Sequence, residues 1–141
     1  MTKVITKISA AKITPAVRQG GIVRAILTPN TVGSTSGFMG TITVPAHQFV
    51  AEHYHPYSDE FLFLVDGAIT LRTGDDSMEL NAGEAVMIPR GHRHRFDNLS
   101  DVDAFGVFHI CPLAPRPEIG HVETEPVPFP DAAPPRVGGS R

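Results

Sequence analysis

Two short stretches hold the residue types that do chemistry. One is His53-Tyr54-His55 with Glu60 close behind; the other is Gly91-His92-Arg93-His94. On a β-strand successive side chains alternate faces, so His53 and His55 would share a face with Tyr54 turned away. Neutral imidazole is a good ligand for zinc, iron, copper and nickel. Two imidazoles on one face, a carboxylate from the next strand and His94 from a distant strand would make a metal pocket. A His-x-His pair alone is a weak signal, and what surrounds it decides its meaning.

The surroundings read as a β scaffold. Strand-like segments recur at short intervals with no helical period. They are Lys3 to Ile8, Ile22 to Leu27, Gly37 to Val44, Phe49 to His55, Glu60 to Val65, Ala68 to Arg72, Ser77 to Leu80, Ala85 to Ile88, His94 to Asn98 and Asp103 to Ile110. Thr28-Pro-Asn-Thr-Val-Gly33 has loop chemistry. Asp66-Gly67 and Gly74-Asp75-Asp76 carry turn signals, the first read as a hairpin turn. Many short strands with turns between them imply a sandwich or barrel.

The chain has 141 residues, the size of one domain. Its net charge of -3 gives no nucleic-acid footprint. It has neither an apolar run long enough to span a membrane nor the apolar core of a signal peptide. The single Cys111 suits a reducing cytoplasm and rules out a cysteine metal cluster. Any metal must therefore rely on His and carboxylate.

The motifs resemble those of the cupin superfamily. Its first motif is matched by His53, His55, Glu60 and Gly67, although the Gly usually found ahead of the first His is replaced by His47. Its second is matched by Gly83, Pro89, Gly91, His94 and Asn98. The resemblance extends to one subgroup through Thr31-Val-Gly-Ser-Thr-Ser-Gly-Phe-Met-Gly40, Glu52 to Glu60 and Pro112-Leu-Ala-Pro-Arg-Pro-Glu-Ile-Gly-His121. That subgroup is the small single-domain cyclases of aromatic polyketide pathways, of the tetracenomycin, spore-pigment and resistomycin type.

This resemblance implies an all-β double-stranded β-helix, the jelly roll of cupins. It implies metal ligation by His53, His55 and His94 with Glu60 as the usual fourth ligand. His109 is a rival for that place: in a jelly roll its strand lies antiparallel to the strand carrying Glu60, and if Phe105, Val107 and His109 face inward, His109 points at the metal. The alternative for His109 is a buried residue bonded to a backbone carbonyl. The implied activity is a polyketide cyclase, closing a ring in a poly-β-ketone by intramolecular aldol condensation and loss of water. Glu60 or His109 is a candidate base, as is a metal-bound hydroxide. The cofactor is a divalent ion, with zinc expected because cyclisation needs no redox step, and iron, manganese or nickel as alternatives. An oxygenase or isomerase on the same scaffold, or a small-molecule sensor, is the competing reading.

Secondary expectations concern the surroundings of the site. Arg90, Arg93 and Arg95 are either a solvated face or a contact for an acyl carrier protein at the pocket mouth. His92 is placed at the rim, and His47 and His121 at the surface. Phe49, Ala51, Leu62, Leu64, Phe96 and Val107 are expected to line an apolar pocket. Phe61 and Phe63 have the opposite parity to Glu60 and suggest a homodimer contact. Eight of the 13 prolines lie between Pro112 and Pro135. Residues 1–129 are read as one domain ending in an extended arm from Pro112, and 130–141 as a flexible tail.

Overall fold

Alternation of apolar and polar residues, punctuated by glycine turns, yields ten strands in the computed structural model, which describes residues 4–138. In chain order they are β1 (Ile22–Leu27), β2 (Phe38–Val44), β3 (Phe49–Tyr54), β4 (Asp59–Asp66), β5 (Ala68–Thr73), β6 (Asp76–Asn81), β7 (Ala85–Ile88), β8 (His94–Asp97), β9 (Ala104–Cys111) and β10 (Val122–Glu123). Two antiparallel five-stranded sheets form, ordered β1-β2-β9-β4-β7 and β10-β3-β8-β5-β6. This is the expected all-β, two-sheet architecture.

The inner faces meet in a core that includes Ile42, Val50, Leu62, Leu64, Leu71, Phe96 and Phe108. Burying a side chain of this size contributes about 1.5–3 kcal/mol. In β9 the buried positions are Ala104, Gly106, Phe108 and Ile110, while His109 is exposed. In β4 they are Glu60, Leu62 and Leu64, which leaves Phe61 and Phe63 on the outside.

Asp66-Gly67 does not close a hairpin, because β4 and β5 belong to different sheets. It is a corner between them. Gly67 has φ +80°, and a Cβ there would lie 2.6 Å from the Asp103 carbonyl oxygen, so a side chain fits neither the backbone nor the space. Gly74 and Asp75 do form a two-residue hairpin between the paired Thr73 and Asp76. Residues 4–8 form no strand, and Lys3 lies outside the described residues. On the outer edge of β1 the pairing is an isolated bridge from Ala16 to Val23, so residues 4–8 have no ladder to join. Pro29–Val32, read as loop, is one helical turn (α1), capped reciprocally by Thr28 and Thr31 and ended by Gly33 in the left-handed region.

The proline-rich segment lies along the body. β10 pairs with β3, the strand of the His-x-His stretch. Arg18 grips Glu123 through Nε at 2.8 Å and Nη2 at 3.0 Å, and it donates to the carbonyls of Pro130 and Ala132. Residues 130–138, read from sequence as a tail, continue to α1, where the Asn30 N–H donates to the Val137 carbonyl at 3.1 Å.

Candidate metal centre

Strand pairing brings the ligating residue types together. His53 stands opposite His94 on β3 and β8. Glu60 enters from β4 in the facing sheet, and His55 follows the end of β3. One donor atom from each of His53, His55, Glu60 and His94 lies within 4.8 Å of all the others, and all four residues are buried.

Each imidazole is held from behind. His53 Nδ1 lies 2.8 Å from the Ala51 carbonyl, His55 Nδ1 3.1 Å from that of Gly120, and His94 Nδ1 2.9 Å from that of His92. A carbonyl only accepts, so each Nδ1 carries the proton and each Nε2 presents a lone pair to the centre. His55 Nε2 is 3.0 Å from Glu60 Oε1. A lone pair and a carboxylate do not share that distance without a proton or a cation between them. His94 Nε2 is 3.5 Å from Glu60 Oε1 and, wholly buried, has no hydrogen-bond partner among the described residues. An orphaned nitrogen in such a place is costly, and a cation at the common focus would satisfy it. The donor set therefore fits a divalent metal.

Electrostatics keep His53 neutral and Glu60 ionised, and draw a proton or a cation to His94. Burial, reinforced by His94, His121 and His55, pushes His53 well below the ordinary imidazole value and keeps it neutral. Burial alone would raise Glu60, but contact with His55 and His94 outweighs it and holds the carboxyl well below its usual range. Burial also opposes protonation of His94, yet Glu60 overrides it and raises that value.

The centre opens into a cavity of about 990 Å³. Its wall is mainly apolar, with Phe38, Ile42, Val50, Phe96, Phe108, Ile110 and Leu113. Of the residues expected there, Phe96 lines it. Leu62 and Leu64 are buried in the core instead, and Val107 faces outward. The β3–β8 register shifts between Val50 and His53, so Phe49 turns outward and stacks under the Arg95 guanidinium at 3.9 Å.

His109 is not brought to the centre. Its strand is the neighbour of β4 as expected, but the register is one residue off: Glu60 faces Ile110, and His109 faces the exposed Phe61. Arg90, Arg93 and Arg95 do not line the cavity, whereas Arg18 and Arg136 do. Arg90 meets Asp59, and Arg95 meets Asp97 and Glu125. The His92 side chain is exposed, and its contribution is the carbonyl that holds His94. His47 is exposed beside Asp101.

His121 was missed. Its ring lines the cavity and stacks on His53, with centroids 4.4 Å apart and planes at 22°. Burial and the neighbouring His55 lower its pKa to about 4. The signal was its place at the end of the Pro112 to His121 phrase.

Two sheets of this topology with a three-His, one-Glu focus between them define a cupin. Residues 40–110 match the cupin domain family, and the chain belongs to it. It is 52% identical over 133 residues to the tetracenomycin polyketide synthase protein TcmJ of Streptomyces glaucescens, covering 94% of this chain and 89% of that protein. It is 45% identical over 118 residues to polyketide synthase CurC of Streptomyces cyaneus, covering 84% of this chain and 77% of that one. Among solved structures, the polyketide cyclase RemF of Streptomyces resistomycificus shares the fold with a TM-score of 0.70 at 16% identity, over 90% of each chain.

Proposed function

We propose that this chain is a metal-dependent polyketide cyclase that closes a ring in a poly-β-ketone by aldol condensation and dehydration. The observation that carries the reading is the convergence of three preset imidazole lone pairs and the Glu60 carboxylate on one point of a large apolar cavity. The names of the relatives TcmJ and CurC support the substrate class.

His53, His55, His94 and Glu60 are the residues that would hold the ion. Zinc is preferred because the reaction involves no change of oxidation state. A divalent cation there would supply Lewis acidity, polarising a ketone oxygen and stabilising the neighbouring enolate. The chain's own residues do the rest. Phe38, Phe96 and Phe108 give a folded polyketone apolar walls and exclude water, which holds an activated methylene near its target ketone. The methylene gives a proton to a base, its carbon bonds to the ketone carbon as the C=O π bond opens, the alkoxide takes that proton back, and loss of the hydroxyl together with the second methylene proton releases water and leaves a C=C bond. Glu60 is assigned as ligand rather than base, because its oxygen is directed at His55 and His94 and its affinity for a proton is low.

We assign two partners on the same terms. A second copy of the chain would cover the outer face of β9-β4-β7, where Phe61, Phe63 and Met87 stand exposed beside a groove of about 660 Å³. An acyl carrier protein would meet Arg90 and the exposed Arg93 in the β7–β8 loop. Elemental analysis of the purified protein, paired with a cyclisation assay before and after chelation, tests the central assignment. A protein without bound metal that cyclises at full rate would refute it.

A further inference from the structure

In a wall made of Phe38, Val50, Phe96, Phe108, Ile110 and Leu113, a polar pair beside the metal centre stands out. Gln19 and His121 both line the cavity. Gln19 Nε2 lies 2.8 Å from His121 Nε2 and 3.5 Å from Nδ1. An amide nitrogen only donates, so His121 Nε2 accepts and the ring proton sits on Nδ1. That N–H has no acceptor among the described residues. The ring cannot drift: it stacks on His53, and the next two residues pair with β3, Val122 opposite Tyr54 and Glu123 opposite His53. Its Nε2 is committed to Gln19, and His121 stands outside the four-residue ligand cluster. What remains is an N–H donor on a ring that lines the cavity and stacks on His53, one of the four candidate ligands.

We propose that His121, positioned by Gln19, binds an oxygen of the substrate beside the His53–His55–Glu60–His94 centre, the substrate class being a 1,3-diketone unit of a poly-β-ketone. The inference rests on the cyclase reading for the identity of the substrate. The contact itself is independent of turnover. A diketone offers two oxygens, one for the metal centre and one to accept from the Nδ1–H. The pair would thereby select which ketone of the chain is held for attack.

The test uses the full-length, metal-replete protein and 1-phenyl-1,3-butanedione as the probe, titrated by calorimetry. His121→Phe keeps an aromatic ring against His53 but has no N–H. It should weaken probe binding about tenfold or more, the scale of one hydrogen bond to an oxygen bearing charge, with metal content and Tm unchanged. Gln19→Leu, which only removes the positioning contact, should weaken it less. His121→Asn, which restores an N–H donor, should recover part of the loss. Equal probe affinity in wild type and His121→Phe, failure of the wild type to bind the probe, or loss of metal from His121→Phe would overturn the proposal. A wild type that binds the diketone through His121 but cyclises no poly-β-ketone would instead overturn the cyclase reading and leave this contact standing.

Discussion

His53 and His94 stand directly opposite each other on β3 and β8, with ring centroids 4.3 Å apart. Cross-strand neighbours on one face are held at this spacing by the sheet itself. Two of the four candidate ligands are therefore fixed by the ladder, while His55 lies just past the end of β3 and is held by the Gly120 carbonyl. Replacing either residue by Ala should abolish metal binding, read as metal per folded chain by elemental analysis. Secondary structure by circular dichroism should persist, because neither residue belongs to the apolar core that includes Leu62, Leu71 and Phe96.

His109→Ala should leave metal content and cyclisation as in wild type and change stability by only about 0.5 kcal/mol, as expected for an exposed position. A clear fall in metal affinity would mean that β9 takes the alternative register.

Asn98 matches the second cupin motif but is structural here. Buried, its amide donates to the carbonyls of Val44 and Val102, both at 2.8 Å. Asn98→Ala would take the amide donor from the buried Val44 carbonyl and leave that of Val102 with Ser100 Oγ, and should lower unfolding free energy by about 2–3 kcal/mol. Metal per folded chain should stay whole. Chemical denaturation with parallel metal analysis checks both halves.

The His53, His55, Glu60 and His94 set was legible because period-two alternation and motif spacing are local properties of sequence. His109 was placed wrongly because Phe105 and Val107 are apolar on the outer face, while the inner face of β9 includes Gly106, which has no side chain to mark it. An apolar outer surface erases the contrast by which parity is read. Phe49 was misread because the register shift before His53 leaves no trace in residue type. Asp66-Gly67 carries the same turn chemistry whether the chain returns to its own sheet or crosses to the other. His121 reaches the cavity only through β10 pairing with β3, a contact about seventy residues apart in sequence that no local pattern encodes.

The Arg18–Glu123 pair gives the arm an acid-sensitive fastening. A hydrogen bond from Arg18 holds the Glu123 carboxyl below its ordinary value of 4.5. Because the folded value is depressed, the stabilisation is present above the unfolded value and is lost as pH falls through the folded one. Hydrogen-exchange protection factors at residues 122–138, which remove the intrinsic pH dependence of exchange, should fall in wild type as pH drops below the ordinary carboxylate range. In Arg18→Ala they should be low already at pH 7, with little further change on acidification. Protection independent of both the variant and pH would show that the arm is fastened elsewhere.

Ring closure is predicted to require an ion at the His53–His55–Glu60–His94 focus. The most direct measurement is the rate of poly-β-ketone cyclisation by protein as purified, after chelation and after restoration of one equivalent of zinc, with bound metal quantified in each sample. The predicted result is loss of rate in step with loss of metal and recovery on restoration in wild type, with no recovery in His94→Ala. Full-rate cyclisation by metal-free wild-type protein would contradict it and leave the cavity as a folding template alone.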